Sequence, residues 1–152
     1  MPTAKLKKFA YEYPRPALTV DVVLLTREVP PRVLLIQRKH DPFAGAWASP
    51  GGFVNEGERL VDAAARELKE ETGVEAKDLE QLYTAGDPGR DPRGWTVSVA
   101  FTARVDPKRT KAIAADDAKA VRWFPIDSLP ELAFDHAALI ERAKARIALR
   151  GT

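Results

Sequence analysis

Apolar and polar residues follow two periods along this chain, and the switches between them outline its elements. Residues 18–26 (LTVDVVLLT) are apolar and β-branched and predict a strand. Val29-Pro30-Pro31 breaks the run, and 32–37 (RVLLIQ) predicts a second strand, antiparallel to the first across that short turn. Residues 41–45 read as a loop, Trp47-Ala48-Ser49 as a short extended piece, and Pro50-Gly51-Gly52 as a turn. The period then changes. Residues 59–72 form the clearest helix, with Leu60, Ala64 and Leu68 at i, i+4 and i+8 as its core face and Gly73 as its stop. Residues 79–85 predict a strand, 86–94 (GDPGRDPRG) a polar loop, and 95–105 an alternating strand with Val97, Val99, Phe101 and Ala103 on one face. A connection over 107–119 is rich in Lys, Asp and Ala. Beyond it, 121–125 predicts a short strand, 127–129 a turn, and 135–149 a closing amphipathic helix with Leu139, Ala143 and Ile147 near one face. Strands around one central helix, followed by a second helix, predict an α/β or α+β sandwich with a mixed sheet.

Composition narrows the function classes. A length of 152 residues suits one domain over 1–152, and a chain of that size buries roughly 68–70% of its unfolded surface without staples. Hydrophobic residues at 45% and charged ones at 30% are the balance of a soluble globular protein. The net charge of +2 gives no reason to expect a nucleic acid or a membrane as partner. Lys5, Lys7, Lys8, Arg142, Lys144, Arg146 and Arg150 read as solvated ends. Cysteine is absent, which removes disulfides, thiolate metal sites and thiol nucleophiles and fits a reducing compartment. No signal-peptide pattern and no run approaching the ~20 apolar residues of a membrane span are present, so a cytoplasmic location is expected.

The 59–72 helix carries the chemistry. Ala63, Glu67 and Glu71 share a second face, with Glu70 beside it. Glu67 and Glu71 are like charges at i and i+4, which destabilises an isolated helix by a few tenths of a kcal/mol. Clustered carboxylates need a counter-charge, and an oxygen-rich set of this kind suits Mg²⁺ or Mn²⁺ rather than zinc. The surrounding pattern is Gly52, five residues, Glu58, seven residues, then Arg66-Glu67-Leu68-x-Glu70-Glu71-x-Gly73-Val74. This stretch of 23 residues resembles the signature box of the Nudix hydrolases at every fixed position. The resemblance implies a Nudix-type α/β/α sandwich with a mixed central sheet. It implies Glu67, Glu70 and Glu71 as metal-binding carboxylates and the Gly51 carbonyl as a further ligand. Arg66 and Glu58 match a pair that braces the loop against the helix, while Gly52 and Gly73 match backbone roles, one in the tight loop and one at the helix end.

The implied reaction is hydrolysis of a nucleoside diphosphate linked to another moiety. Divalent ions would neutralise the pyrophosphate and acidify a water for in-line attack. For the general base, Asp117 is the first candidate and Asp116 the second, with Glu70 as the alternative. Arg90 and Arg93 in the polar loop, and Arg38 after the second strand, offer forks for phosphate oxygens. The plainer reading of that loop is a connection held by an internal Arg–Asp pair. The run Asp87 to Gly94, together with Leu132-Ala133-Phe134-Asp135-His136, resembles the bacterial ADP-ribose pyrophosphatase-like branch. The favoured substrate is therefore ADP-ribose, cleaved to AMP and ribose 5-phosphate, and a structural role is favoured for His136. Two alternatives stand beside it: pyrophosphohydrolysis of oxidised nucleoside triphosphates, and a non-catalytic module that senses ADP-ribose. Sensors of this branch carry an added DNA-binding domain and tend to lose box glutamates, whereas all box acids are present here and only about one helix follows the fold. Relatives often dimerise, so a homodimer is also an expectation.

Overall fold

The computed structural model describes residues 8–114 and 118–150. Strand β1 (Ala17–Thr26) is the axis of its sheet. Val20, Val22 and Leu24 point to one face and Val23 and Leu25 to the other, and all five are buried. A strand covered on both faces reads as a continuous apolar run, which is the pattern that marked it in the sequence. Strand β6 (Thr96–Val105) pairs with β1 in parallel along its whole length, from Ala17 opposite Thr96 to Thr26 opposite Val105. Strand β5 (Glu80–Ala85) adds antiparallel outside β6.

The other edge of β1 is divided. Strand β2 (Arg32–Arg38) meets it antiparallel at Leu25 opposite Val33, as the intervening prolines predict. The two strands then part. Strand β4 (Gly51–Phe53) takes over against Thr19, Val20 and Asp21 of β1, while β3 (Trp47–Ala48) takes over against Ile36 and Gln37 of β2. Ser49-Pro50 therefore spans an opening between β1 and β2. Strand β7 (Ala118–Pro125) runs antiparallel along the other edge of β2 and is longer than the predicted 121–125. The expected turn at Pro50-Gly51-Gly52 is corrected: Gly51 and Gly52 are strand residues. Glycine is a weak strand former, and the pairing that makes a strand here comes from β1, some thirty residues earlier.

Helix α1 (Leu60–Thr72) covers one face of the sheet, packing Ala63, Ala64 and Leu68 on Val20, Val22, Leu24, Val99 and Phe101. Gly73 ends it in the left-handed region at φ 72°, where its N–H reaches the Lys69 carbonyl at 2.9 Å. Helix α2 (His136–Arg150) covers the opposite face with Leu139, Ile140 and Ala143 against Val23, Leu25, Val33, Leu35 and Ala100. Among the described residues the fold is an α+β sandwich with a mixed seven-stranded sheet between two helices. Among the described residues no helix is long and apolar enough to cross a membrane.

Leu68 is fully buried at the centre of the α1 layer. Leu68→Ala should lower the unfolding free energy by about 2–5 kcal/mol, read as a lower urea midpoint at unchanged slope. A loss well below about 1 kcal/mol would contradict this packing.

Candidate active site

The opening between β1 and β2 is floored by β4 and backed by α1. The main chain runs unusually close to its neighbours there. A Cβ on Gly52 would lie 2.5 Å from the Glu67 carboxyl carbon, and one on Gly51 would collide with the Val20 carbonyl and the Asp21 carboxylate. Only glycine leaves room for the Glu67 carboxylate to lie over the strand.

Arg66 holds the loop to the helix. Its Nε and Nη2 donate to Glu58 at 2.7 and 3.0 Å, and Nη2 also reaches the Phe53 carbonyl at 3.0 Å. Its Nη1 donates to Glu67 at 2.8 Å and to Glu70 at 3.3 Å. Glu58 additionally accepts the Asn55 N–H at 3.0 Å. The Arg66 bonds pull the Glu58 pKa down to about 2, with the Asn55 amide adding to the effect. Glu67 moves the other way: burial raises it, against the opposing bond from Arg66.

Glu71 is the group Arg66 does not reach. Burial pushes its carboxyl up to about 9, the Glu67 charge adds to the rise, and the Gly51 amide only partly offsets it. Its Oε2 is buried without a hydrogen-bond partner. An orphaned buried carboxylate oxygen beside a second carboxylate fits a cation between them. The three glutamates do not stand as a finished cage: among the described residues no group of three His, Asp or Glu side chains is gathered closely enough to hold an ion. Glu70 is exposed and turned toward Arg66.

A cavity of about 80 Å³ brings Glu71, Gly51 and Gly52 together with Arg38, Arg90 and Arg93. A second hollow of about 200 Å³ shares Arg38 and Glu71 and extends to Lys39 and His40. The arginines differ in engagement. Arg90, whose side chain is nearly covered though the residue is only half-buried, donates twice to Asp135, at 2.8 and 2.7 Å. Arg93 donates from Nε and Nη2 to buried Asp91, so the internal Arg–Asp pair read from the loop also exists. Arg38 is tied through Nε to the Pro42 carbonyl at 2.7 Å, and no ion pair joins it to a carboxylate among the described residues. Burial and the neighbouring Arg93 lower its pKa. Asp116 and Asp117 lie outside the described residues.

Sequence reasoning passed over one buried polar group. Asp21, in the middle of β1, accepts a hydrogen bond from the Ser98 hydroxyl and faces His136 Nε2 at 3.4 Å. His136 Nδ1 accepts the Ser49 N–H at 3.0 Å. The signal was present as the lone charge inside LTVDVVLLT, since a carboxylate among buried apolar strand residues needs partners.

A family profile described as NUDIX domain matches residues 15–143, and the chain belongs to that family. Nudix hydrolases generally use divalent metal ions. An ADP-ribose pyrophosphatase of Methanocaldococcus jannaschii is 43% identical over 136 residues, covering 90% of this chain and 77% of the relative. An ADPR responsive transcriptional repressor of Acinetobacter baylyi is 36% identical over 141 residues, covering 90% of this chain but 56% of the repressor. The NUDIX domain of Shewanella oneidensis NrtR, solved with ADP ribose, superposes with a TM-score of 0.81 at 40% identity, over 89% of this chain and 90% of that domain.

The ionisation of Glu71 has a thermodynamic signature. Without a cation, its carboxyl titrates near 9 in the folded protein, against 4.5 for a freely solvated glutamate, the value taken for the unfolded chain. Between those values the folded state holds a proton that the unfolded state has lost. The associated stability is complete below about pH 4.5 and is lost as the pH rises through 9. In chelator, Tm should fall from mildly acid to alkaline pH, and Glu71→Gln should flatten that fall. Parallel Tm profiles for the two proteins would place Glu71 in a solvated setting instead.

Proposed function

We propose that this chain hydrolyses the pyrophosphate of a nucleoside diphosphate derivative, with ADP-ribose split into AMP and ribose 5-phosphate, using Mg²⁺ or Mn²⁺. The observation that carries the reading is the Glu71 carboxylate, buried beside Glu67 with an unpartnered oxygen, in a cavity that three arginines also line. Carboxylates on one side and guanidinium groups on the other match a cation and a pyrophosphate held against each other. Glu67, Glu70 and Glu71 would hold the cation with the Gly51 carbonyl, an all-oxygen set suited to hard ions. When bound, the ion supplies neutralisation of the pyrophosphate charge and a more acidic water.

The residues of the chain do the rest. Glu70, exposed and held by Arg66 at only 3.3 Å, can turn toward the cavity. Asp117, then Asp116, are proposed to take the proton from the attacking water, with Glu70 as the alternative. Arg90 and Arg93 use Nε and Nη2 on their acids, which leaves Nη1 of each for phosphate oxygens. Arg38, desolvated and without an acid, gains most from an incoming anion. The M. jannaschii relative supports the choice of ADP-ribose. The A. baylyi repressor supports a second reading, in which the same pocket senses ADP-ribose without turnover.

A hydrolysis screen with Mg²⁺ and Mn²⁺ separates the readings. It should contain ADP-ribose, NADH, nucleotide sugars, diadenosine polyphosphates and oxidised dGTP. ADP-ribose should give the highest kcat/KM; binding of ADP-ribose without AMP release would establish the sensor, and preference for oxidised dGTP a nucleotide-pool enzyme. Glu71→Gln should lower kcat at least about a hundredfold, and undiminished turnover in that variant would remove Glu71 from the site. Arg38→Ala should raise KM about tenfold, the loss of one hydrogen bond to a charged group. Equal KM values for the variant and the parent would show that Arg38 does not touch the substrate.

A further inference from the structure

The stretch Leu132-Ala133-Phe134-Asp135-His136 is unexplained by hydrolysis itself, yet three of its adjacent side chains reach three parts of the site. Phe134 has φ 51°, a left-handed conformation rare for a bulky residue. Its ring centre lies 4.9 Å from Arg38 Cζ and 5.1 Å from Arg93 Cζ. Asp135 holds the Arg90 fork through both oxygens. His136 takes the Ser49 N–H on Nδ1 and directs Nε2 at Asp21. The main chain leading in is itself pinned to β3, with Trp47 N donating to the Glu131 carbonyl at 3.0 Å and Ala133 N to the Trp47 carbonyl at 2.8 Å.

The imidazole geometry fixes its tautomer. A ring nitrogen that accepts an amide N–H carries no proton, so the neutral ring holds its hydrogen on Nε2, facing the carboxylate. One ring thereby bonds Ser49 through Nδ1 and sets Nε2 3.4 Å from Asp21 of β1. The next residues are tied to the same strand: the Pro50 carbonyl accepts the Val22 N–H at 2.8 Å, and Gly51 pairs with Asp21. His136 thus anchors the segment that presents Gly51 to Glu71, while its two neighbours hold the arginines opposite.

We infer that Phe134-Asp135-His136 is a positioning element that sets the arginine side of the pocket against the carboxylate side. The inference rests on the hydrolytic reading, and Asp135 and His136 act through the groups they hold. It separates two kinds of damage. Loosening His136 displaces Gly51 and Glu71 and should appear in kcat. Loosening Asp135 releases Arg90 and should appear in KM.

His136→Leu should lower kcat for ADP-ribose about tenfold or more with KM within about threefold, because a displacement of about 1 Å at the reacting centre costs up to about a hundredfold. His136→Asn, which keeps an acceptor where Nδ1 stands, should recover most of that loss. Asp135→Asn, which no longer grips Arg90 with two charge-assisted bonds, should raise KM about tenfold with kcat within about threefold. If the leucine variant does not fold, His136→Gln carries the same test, its amide nitrogen standing where Nε2 faced Asp21 and its carbonyl displaced by one bond from the place of Nδ1. Backbone amide spectra of the cation-free proteins give a readout independent of turnover. His136→Leu should shift Ser49, Gly51 and Gly52, and Asp135→Asn should shift Arg90, Asp91, Arg93 and Gly94. Proportional changes in kcat and KM for both variants, no rescue by asparagine, or amide shifts confined to α2 would each reduce the segment to a helix start. Wild-type protein that cleaves none of the substrates would instead defeat the hydrolytic reading and leave the spectra to decide the positioning one.

Discussion

Arg66 donates five hydrogen bonds, two to Glu58, one each to Glu67 and Glu70, and one to the Phe53 carbonyl, and the acidic corner of the fold depends on them. Its guanidinium lets a loop rich in backbone turns and a helix rich in carboxylates occupy one place. It also divides the acids into two classes. Glu58 is fully engaged and strongly acidic. Glu71 lies beyond its reach and is left proton-hungry by burial. The proposed place for a cation follows from this unequal sharing, not from the number of acids.

The sheet supplies the space. β1 and β2 pair at one point and then separate, and β4 and β3 fill the two new edges. The backbone of the segment bridging them is tied at every residue: Ser49 is held by His136, Pro50 by Val22, and Gly51 by its pairing with Asp21. A cleft made by parting strands needs such anchors, because backbone groups at the split otherwise go unsatisfied. Here the anchors come from β1, through Val22 and Asp21, and from His136 at the start of α2.

What the sequence disclosed follows from the range of the forces involved. The core faces of α1 and β1 were legible because Leu60, Ala64 and Leu68, or the run from Val20 to Leu25, carry their own period. The brace between Arg66 and Glu58 was implied by the resemblance of the box and not by any local period. The strand at Gly51 was not, since glycines have no intrinsic strand preference and their pairing arrives from a distant element. The bond between Arg90 and Asp135 joins residues 45 positions apart, so a loop arginine could be read as a phosphate contact or as half of an ion pair. In the folded chain it is an ion pair that still faces the cavity. The parallel pairing of β1 with β6 is likewise invisible to any local window.

The distribution of charge around the pocket explains why the two sides must be held at a set separation. Arg90 and Arg93 are each neutralised by a carboxylate, and Arg38 is the cation without one among the described residues. Opposite them, Glu67 and Glu71 lie together, and burial, with the Glu67 charge adding to it, raises the carboxyl of the second to about 9. A pyrophosphate brought in alone would gain one guanidinium that has no carboxylate partner among the described residues and meet the Glu67 carboxylate unscreened. A divalent ion brought in alone would have to displace the Glu71 proton. In the proposed reaction each would supply the charge that the other's side lacks, so the two binding events would favour one another. That coupling decays with distance as the Coulomb interaction does and is strongest in a desolvated cavity. A drift of the arginine loop away from β4 would weaken it without breaking any bond to the substrate, and the corner formed by Phe134, Asp135 and His136 is where such a drift is resisted.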